Sequence, residues 1–143
     1  MHKQLIEEVA AIYRRLDEQT APLAGGCTAC GECCDFERFG HRLYVTTPEL
    51  LYFGYFARQP IQEMNGGICP YRISGKCSVY PYRFSGCRIF QCRQDSQQQQ
   101  NTISEQTVRQ LKTLCTHYSI PYHYVYLQAG LKMLRTGMLP EQL

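Results

Sequence analysis

Cysteine is the residue type in this chain best suited to chemistry, and eight of its nine copies fall in two groups. Cys27, Cys30, Cys33 and Cys34 stand together in CTACGECC, and Cys69, Cys77, Cys87 and Cys92 follow in CPYRISGKCSVYPYRFSGCRIFQC. Thiolate sulfur is a soft donor, and a tetrahedral site takes four donors at about 2.3 Å. Eight thiols therefore match two four-thiolate sites or one shared cluster. Two cysteines separated by two intervening residues turn both sulfurs onto one ion, and Cys27, Cys30 and Cys33 make that step twice in succession. Such a run resembles iron–sulfur ligation, with the fourth sulfur arriving from further along the chain. Adjacent Cys33 and Cys34 point in different directions in most backbone conformations, which suits different sites or different metals of one centre. The second group would then fold over the first and complete the coordination.

Between Met64 and Gln94 the chain carries Arg72, Lys76, Arg83, Arg88 and Arg93 but no Asp or Glu. A four-thiolate zinc centre or a cubane cluster is net negative. Nearby cations offset that charge, donate hydrogen bonds toward sulfur and lower thiol pKa values. Arg83 and Arg88 are the candidates for this supporting role. Tyr71, Tyr80, Tyr82, Phe84 and Phe90 would supply an apolar shell against water and oxygen. The alternatives are a solvated basic loop for the arginines, and a disulfide scaffold or buried metal-free thiols for the cysteines.

Other chemistry is sparse. His2, His41, His117 and His123 have no spacing that joins them to the cysteines, although His41 follows the first group closely enough to be a ligand. Glu32 and Asp35 flank Cys33 and Cys34 and read as solvent-facing charges, with support of the thiols or acid–base work as alternatives. Cys115 falls on the apolar side of a helix and reads as core. There is no phosphate-binding glycine loop, no Walker-type lysine and no Ser/His/Asp arrangement.

The elements that must position the thiols read as mainly α: a small helical domain around a loop-rich, cysteine-bearing core. Leu5, Ile6, Val9, Ile12, Tyr13 and Leu16 recur at helical spacing and predict a helix over residues 3–19. Pro22, Gly25 and Gly26 then break the chain ahead of the first cysteines. Arg42–Thr46 fits a short strand. Thr47 fits a helix cap and Pro48 a first helical position, with the helix running to about Arg58 and stopping before Pro60. Residues 65–93, rich in Gly, Pro and aromatics, read as irregular, with turns at Asn65-Gly66-Gly67 and Ser74-Gly75. The run from Gln97 to Gln100 reads as a flexible linker or a poorly ordered lead-in to the next helix. Thr102 and Glu105 form a capping-box pattern that predicts a helix over 102–118. A last helix is expected over 122–136, ended by Gly137, with the tyrosines of YHYVYL as helix packing.

The chain has 143 residues, 44% of them hydrophobic, which fits one domain with a cysteine module at about 27–93. A net charge of +3 is mild and does not by itself suggest a nucleic-acid protein. No apolar run approaches the roughly 18 residues of a membrane span, and the N-terminal segment has no secretory pattern. The expected compartment is a reducing cytoplasm, where clustered cysteines serve metals or redox chemistry more often than structural disulfides. The odd ninth thiol also fits poorly with a fully paired disulfide scaffold.

CTACGECC followed by C-x7-C-S-V-Y-x2-R-x3-C-R-x-F-x-C resembles the CxxCxxCC cysteine-cluster proteins, also called the YkgJ family. The matching positions are Cys27, Cys30, Gly31, Cys33, Cys34, Cys69, Cys77, Tyr80, Arg83, Cys87, Arg88, Phe90 and Cys92. The resemblance spans about residues 27–92. Family members usually place proline directly after the arginine; here Phe84 stands there and Pro81 precedes it. The resemblance implies zinc or iron chelation and leaves the activity open. Some relatives are named flagellin lysine N-methylases, but this chain lacks a nucleotide fingerprint and has little length for a second catalytic domain.

The expected function is a metal-binding module, with an iron–sulfur cluster slightly preferred over zinc. It would act in redox, sensing or metal handling, or beside a protein partner. A metal-dependent enzyme and a structural zinc domain for protein or nucleic-acid contacts are the alternatives.

Overall fold

The computed structural model describes residues 2–21, 43–57, 61–64, 69–73, 76–89 and 97–137. These residues are mainly helical, with two small two-stranded sheets. Helix α1 covers His2–Thr20, one residue beyond the expected span at each end. Its periodic apolar positions Leu5, Ile6, Val9, Ile12, Tyr13 and Leu16 are all buried, as an amphipathic stripe requires.

Strand β1, Tyr44–Thr46, falls inside the expected Arg42–Thr46 segment. Helix α2 runs Thr47–Phe56 and is buried on almost every side from Thr47 to Phe53. Its cap is Thr46, one residue before the expected Thr47. Thr47 is instead spent on tertiary structure: its hydroxyl accepts the His123 amide at 2.8 Å, and its own amide donates to the His123 carbonyl at 3.2 Å. The helix stops at Phe56, short of the expected Arg58, where Ala57 leaves helical geometry.

The second cysteine segment is more ordered than its composition predicts. Strands β2, Arg72–Ile73, and β3, Lys76–Cys77, form an antiparallel hairpin. A single 3-10 turn, Tyr80–Tyr82, and a one-turn helix α3, Ser85–Ile89, follow. The expected turn at residues 65–67 and the tip at 74–75 lie outside the described residues.

Three expectations are corrected. The glutamine run is neither a linker nor a poorly ordered lead-in but the first turn of helix α4, Gln97–His117. Thr102 lies within that helix and its hydroxyl donates to the Gln98 carbonyl at 3.1 Å, so it does not cap. Glutamine is a good helix former, and Gln100 is buried by the fold. The segment expected as helix 122–136 is split. Tyr124–Tyr126 is strand β4, and helix α5 covers only Leu127–Arg135. The Tyr-Val-Tyr alternation suits a pleated strand, and β1 supplies the antiparallel partner, with Val45 opposite Val125. The exposed tyrosines Tyr124 and Tyr126 lie against Tyr44, at centroid distances of 4.8 and 4.6 Å. Gly137 follows α5 with φ +70°, the expected left-handed stop.

One apolar core draws on α1, β1, α2, α4 and α5, and also takes in Cys69, Tyr71 and Phe84 from the second cysteine segment. Helix α1 packs on α2, α3 and α4. Among the described residues no helix is long and apolar enough to cross a membrane.

Candidate metal centre

The segment that carries the hairpin and α3 brings Cys69 into the core and Cys87 against it. Cys69 is buried. Two residues on, Tyr71 packs edge-on against Phe53 at 5.1 Å. Its hydroxyl accepts the Gln62 amide at 2.9 Å, and its carbonyl accepts both the amide and the hydroxyl of Ser78 at 2.8 and 2.6 Å. Cys77 pairs with Arg72 across the hairpin that these contacts close. Phe84 stacks on the same Phe53 at 5.1 Å, and Cys87, three residues later, packs half-buried against the core. Phe56 and Tyr82 stack at 5.3 Å beside them. Tyr71 and Phe84 are thus part of the core, and Tyr82 packs against it. Burial raises the Tyr71 phenol above its ordinary value, the Gln62 amide opposes that rise, and Cys69 adds to it.

Cys27, Cys30, Cys33, Cys34 and Cys92 lie outside the described residues, as do Glu32, Asp35, His41, Phe90 and Arg93. Cys77 is described in its backbone alone. Among the described residues no three His, Cys, Asp or Glu side chains gather into a metal-binding group; of the eight candidate thiols, only Cys69 and Cys87 have described side chains. The two described thiols lie in or against the apolar core, and basic residues are the only charged residues in the sequence between Met64 and Gln94. Cys115 is buried in α4, and burial pushes its thiol up to about 11. That fits the expected core role.

The two candidate arginines differ. Arg83 is half-buried, and its Nη1 donates to the Cys87 carbonyl at 3.4 Å. Arg88 is buried. Its Nη1 meets Asp17 Oδ2 at 2.8 Å, Nε donates to the Arg83 carbonyl at 2.9 Å, and Nη2 to the Pro81 carbonyl at 3.1 Å. The guanidinium also lies 4.1 Å from the Tyr13 ring centroid, within cation–π range. Arg88 therefore ties the cysteine segment to α1.

A residue not singled out among the sequence candidates lies at the centre of this arrangement. Glu49 is 1% exposed. Its Oε2 accepts the Thr46 amide at 3.1 Å and the Thr46 hydroxyl at 2.9 Å, and its Oε1 accepts the Tyr13 hydroxyl at 3.2 Å and the Ser85 amide at 2.5 Å. Burial, then the Glu49 carboxylate, hold the Tyr13 phenol well above its ordinary value, with Arg88 opposing. The sequence carried a signal for Glu49: Thr46-Thr47-Pro48-Glu49 is a capping box, legible once the cap is placed on Thr46.

The chain matches no family model, no curated protein and no solved structure. The resemblance to the CxxCxxCC proteins thus rests on the cysteine pattern itself.

Proposed function

We propose that this chain is a cytoplasmic metal-binding module. It holds an iron–sulfur cluster in at least one site through thiolates drawn from Cys27, Cys30, Cys33, Cys34, Cys69, Cys77, Cys87 and Cys92. The observation that supports this reading is the clustering of eight cysteines in the sequence, of which Cys69 and Cys87 meet the apolar core from separate parts of the second group. An apolar wall limits solvent and oxygen access, and a basic, acid-free segment offsets cluster charge. When bound, such a group supplies electron transfer or metal exchange. The chain's own part is to present thiolates, exclude water and balance charge. Zinc is the second reading, because eight thiolates also make two closed four-sulfur sites.

Anaerobic purification with metal analysis, acid-labile sulfide assay and a visible spectrum tests both. Sulfide with a broad visible band supports the cluster; colourless protein with roughly two zinc ions per chain supports zinc instead. Cys30→Ser and Cys87→Ser are each expected to lower metal content, whereas Cys115→Ser leaves it unchanged. Wild-type protein that binds neither metal overturns the reading.

A further inference from the structure

Helix α3 has five residues, Ser85–Ile89, too few to hold itself together, because helix nucleation is costly and tertiary contacts must repay it. It is fixed at both ends. At its start the Ser85 amide donates to buried Glu49 at 2.5 Å. At its end the Arg88 guanidinium grips Asp17 on α1 at 2.8 Å and caps the Pro81 and Arg83 carbonyls at 3.1 and 2.9 Å. The two anchors meet at Tyr13, whose ring lies under Arg88 at 4.1 Å and whose hydroxyl donates to Glu49 at 3.2 Å. Gly86 lies so close to Leu43 that a Cβ there would collide with its side chain. Cys87 is the residue between Gly86 and Arg88.

We propose that Glu49 is a positioning residue for the metal centre: its carboxylate, acting with Tyr13 and Arg88, fixes α3 so that the Cys87 thiol is in place before any metal arrives. This rests on the metal-binding reading above. A buried carboxylate needs strong partners to offset its lost hydration, and half of its hydrogen bonds go to α1 and α3 rather than to its own cap. Any group held by Cys87 therefore gains a rigid ligand, and metal release must first loosen α3.

The test uses anaerobically loaded full-length protein challenged with excess chelator. Glu49→Gln is expected to release metal about tenfold faster than wild type, the effect of losing roughly one charged hydrogen bond. Tyr13→Phe is expected to shift release in the same direction and serves if Glu49→Gln does not fold. Leu131→Ala, a core variant on α5, controls for general loss of stability. Equal release from Glu49→Gln and Leu131→Ala at matched apo melting temperature would reduce Glu49 to a structural role and overturn the proposal. Amide hydrogen exchange on the apo protein gives a second readout. Glu49→Gln should raise exchange at residues 85–89 above that in Leu131→Ala, and no such rise overturns the proposal even if the wild type binds no metal. Absence of metal from wild type alone defeats the metal-binding reading instead.

Discussion

At the scale of single residues, the cysteines divide by surroundings. Cys115 is 2% exposed, and burial lifts its thiol from 9.0 to about 11. At pH 8 a two-unit rise leaves roughly 100-fold less thiolate, and thiolate is the reactive form. Alkylation of Cys115 should be slow in the folded protein and fast in urea, as followed by peptide mass spectrometry. The sign of the pH effect follows. A thiol whose pKa is raised by folding contributes its stability fully below its unfolded pKa and loses it as pH climbs through the folded one. The advantage of wild type over Cys115→Ala in urea midpoint should therefore narrow between about pH 9 and pH 11; a constant gap would mean the thiol is not buried as described. The eight clustered thiols were visible from the sequence because spacing encodes their chemistry. For Glu49 only the capping-box role was legible, because its tertiary role lies in partners 36 residues away on either side, Tyr13 and Ser85.

At the scale of elements, local periodicity was legible wherever one face meets one core. Helix α1 shows this, since all six of its periodic apolar positions are buried. Pattern failed where a distant segment decides. Tyr124–Tyr126 could be read as helix until β1 is known to lie beside it, and the glutamine run could be read as linker until the core buries Gln100. The contact of α5 with β1 and α2 is tight at Gly130, where a Cβ would stand 2.8 Å from Val45 Cγ2 and 3.0 Å from Leu50 Cδ2. Those side chains belong to fully buried residues with little room to retreat. Gly130→Ala gains helix propensity but overpacks the core, and overpacking costs about 1–3 kcal/mol. A lowered urea midpoint with an unchanged m-value is the expected outcome, and a raised midpoint would show that α5 can move away from β1.

At the scale of the whole molecule, the question is how far the fold depends on its proposed metal. Small zinc modules unfold without their ion because nothing else binds the chain together. Here most of the core is contributed by residues outside the two cysteine segments of the sequence: Leu5 and Val9 of α1, Leu50 and Phe53 of α2, Leu111 of α4, Leu127 and Leu131 of α5. The β1–β4 ladder and the Thr47–His123 pair clamp the C-terminal elements to the middle of the chain without any sulfur. The cysteine segment joins this body through Tyr71, Phe84 and Arg88 as well as through its thiols. Chelator-treated protein should therefore keep most of its far-UV helical signal and a cooperative thermal transition. Its melting temperature should fall, because a metal bound only to the folded state adds stability by mass action. The loss of protection on metal removal should concentrate in residues 69–89, with α1 and α4 retaining slow amide exchange. Collapse of the helical signal on chelation would instead make the thiols the keystone of the fold and α1 a dependent of the metal.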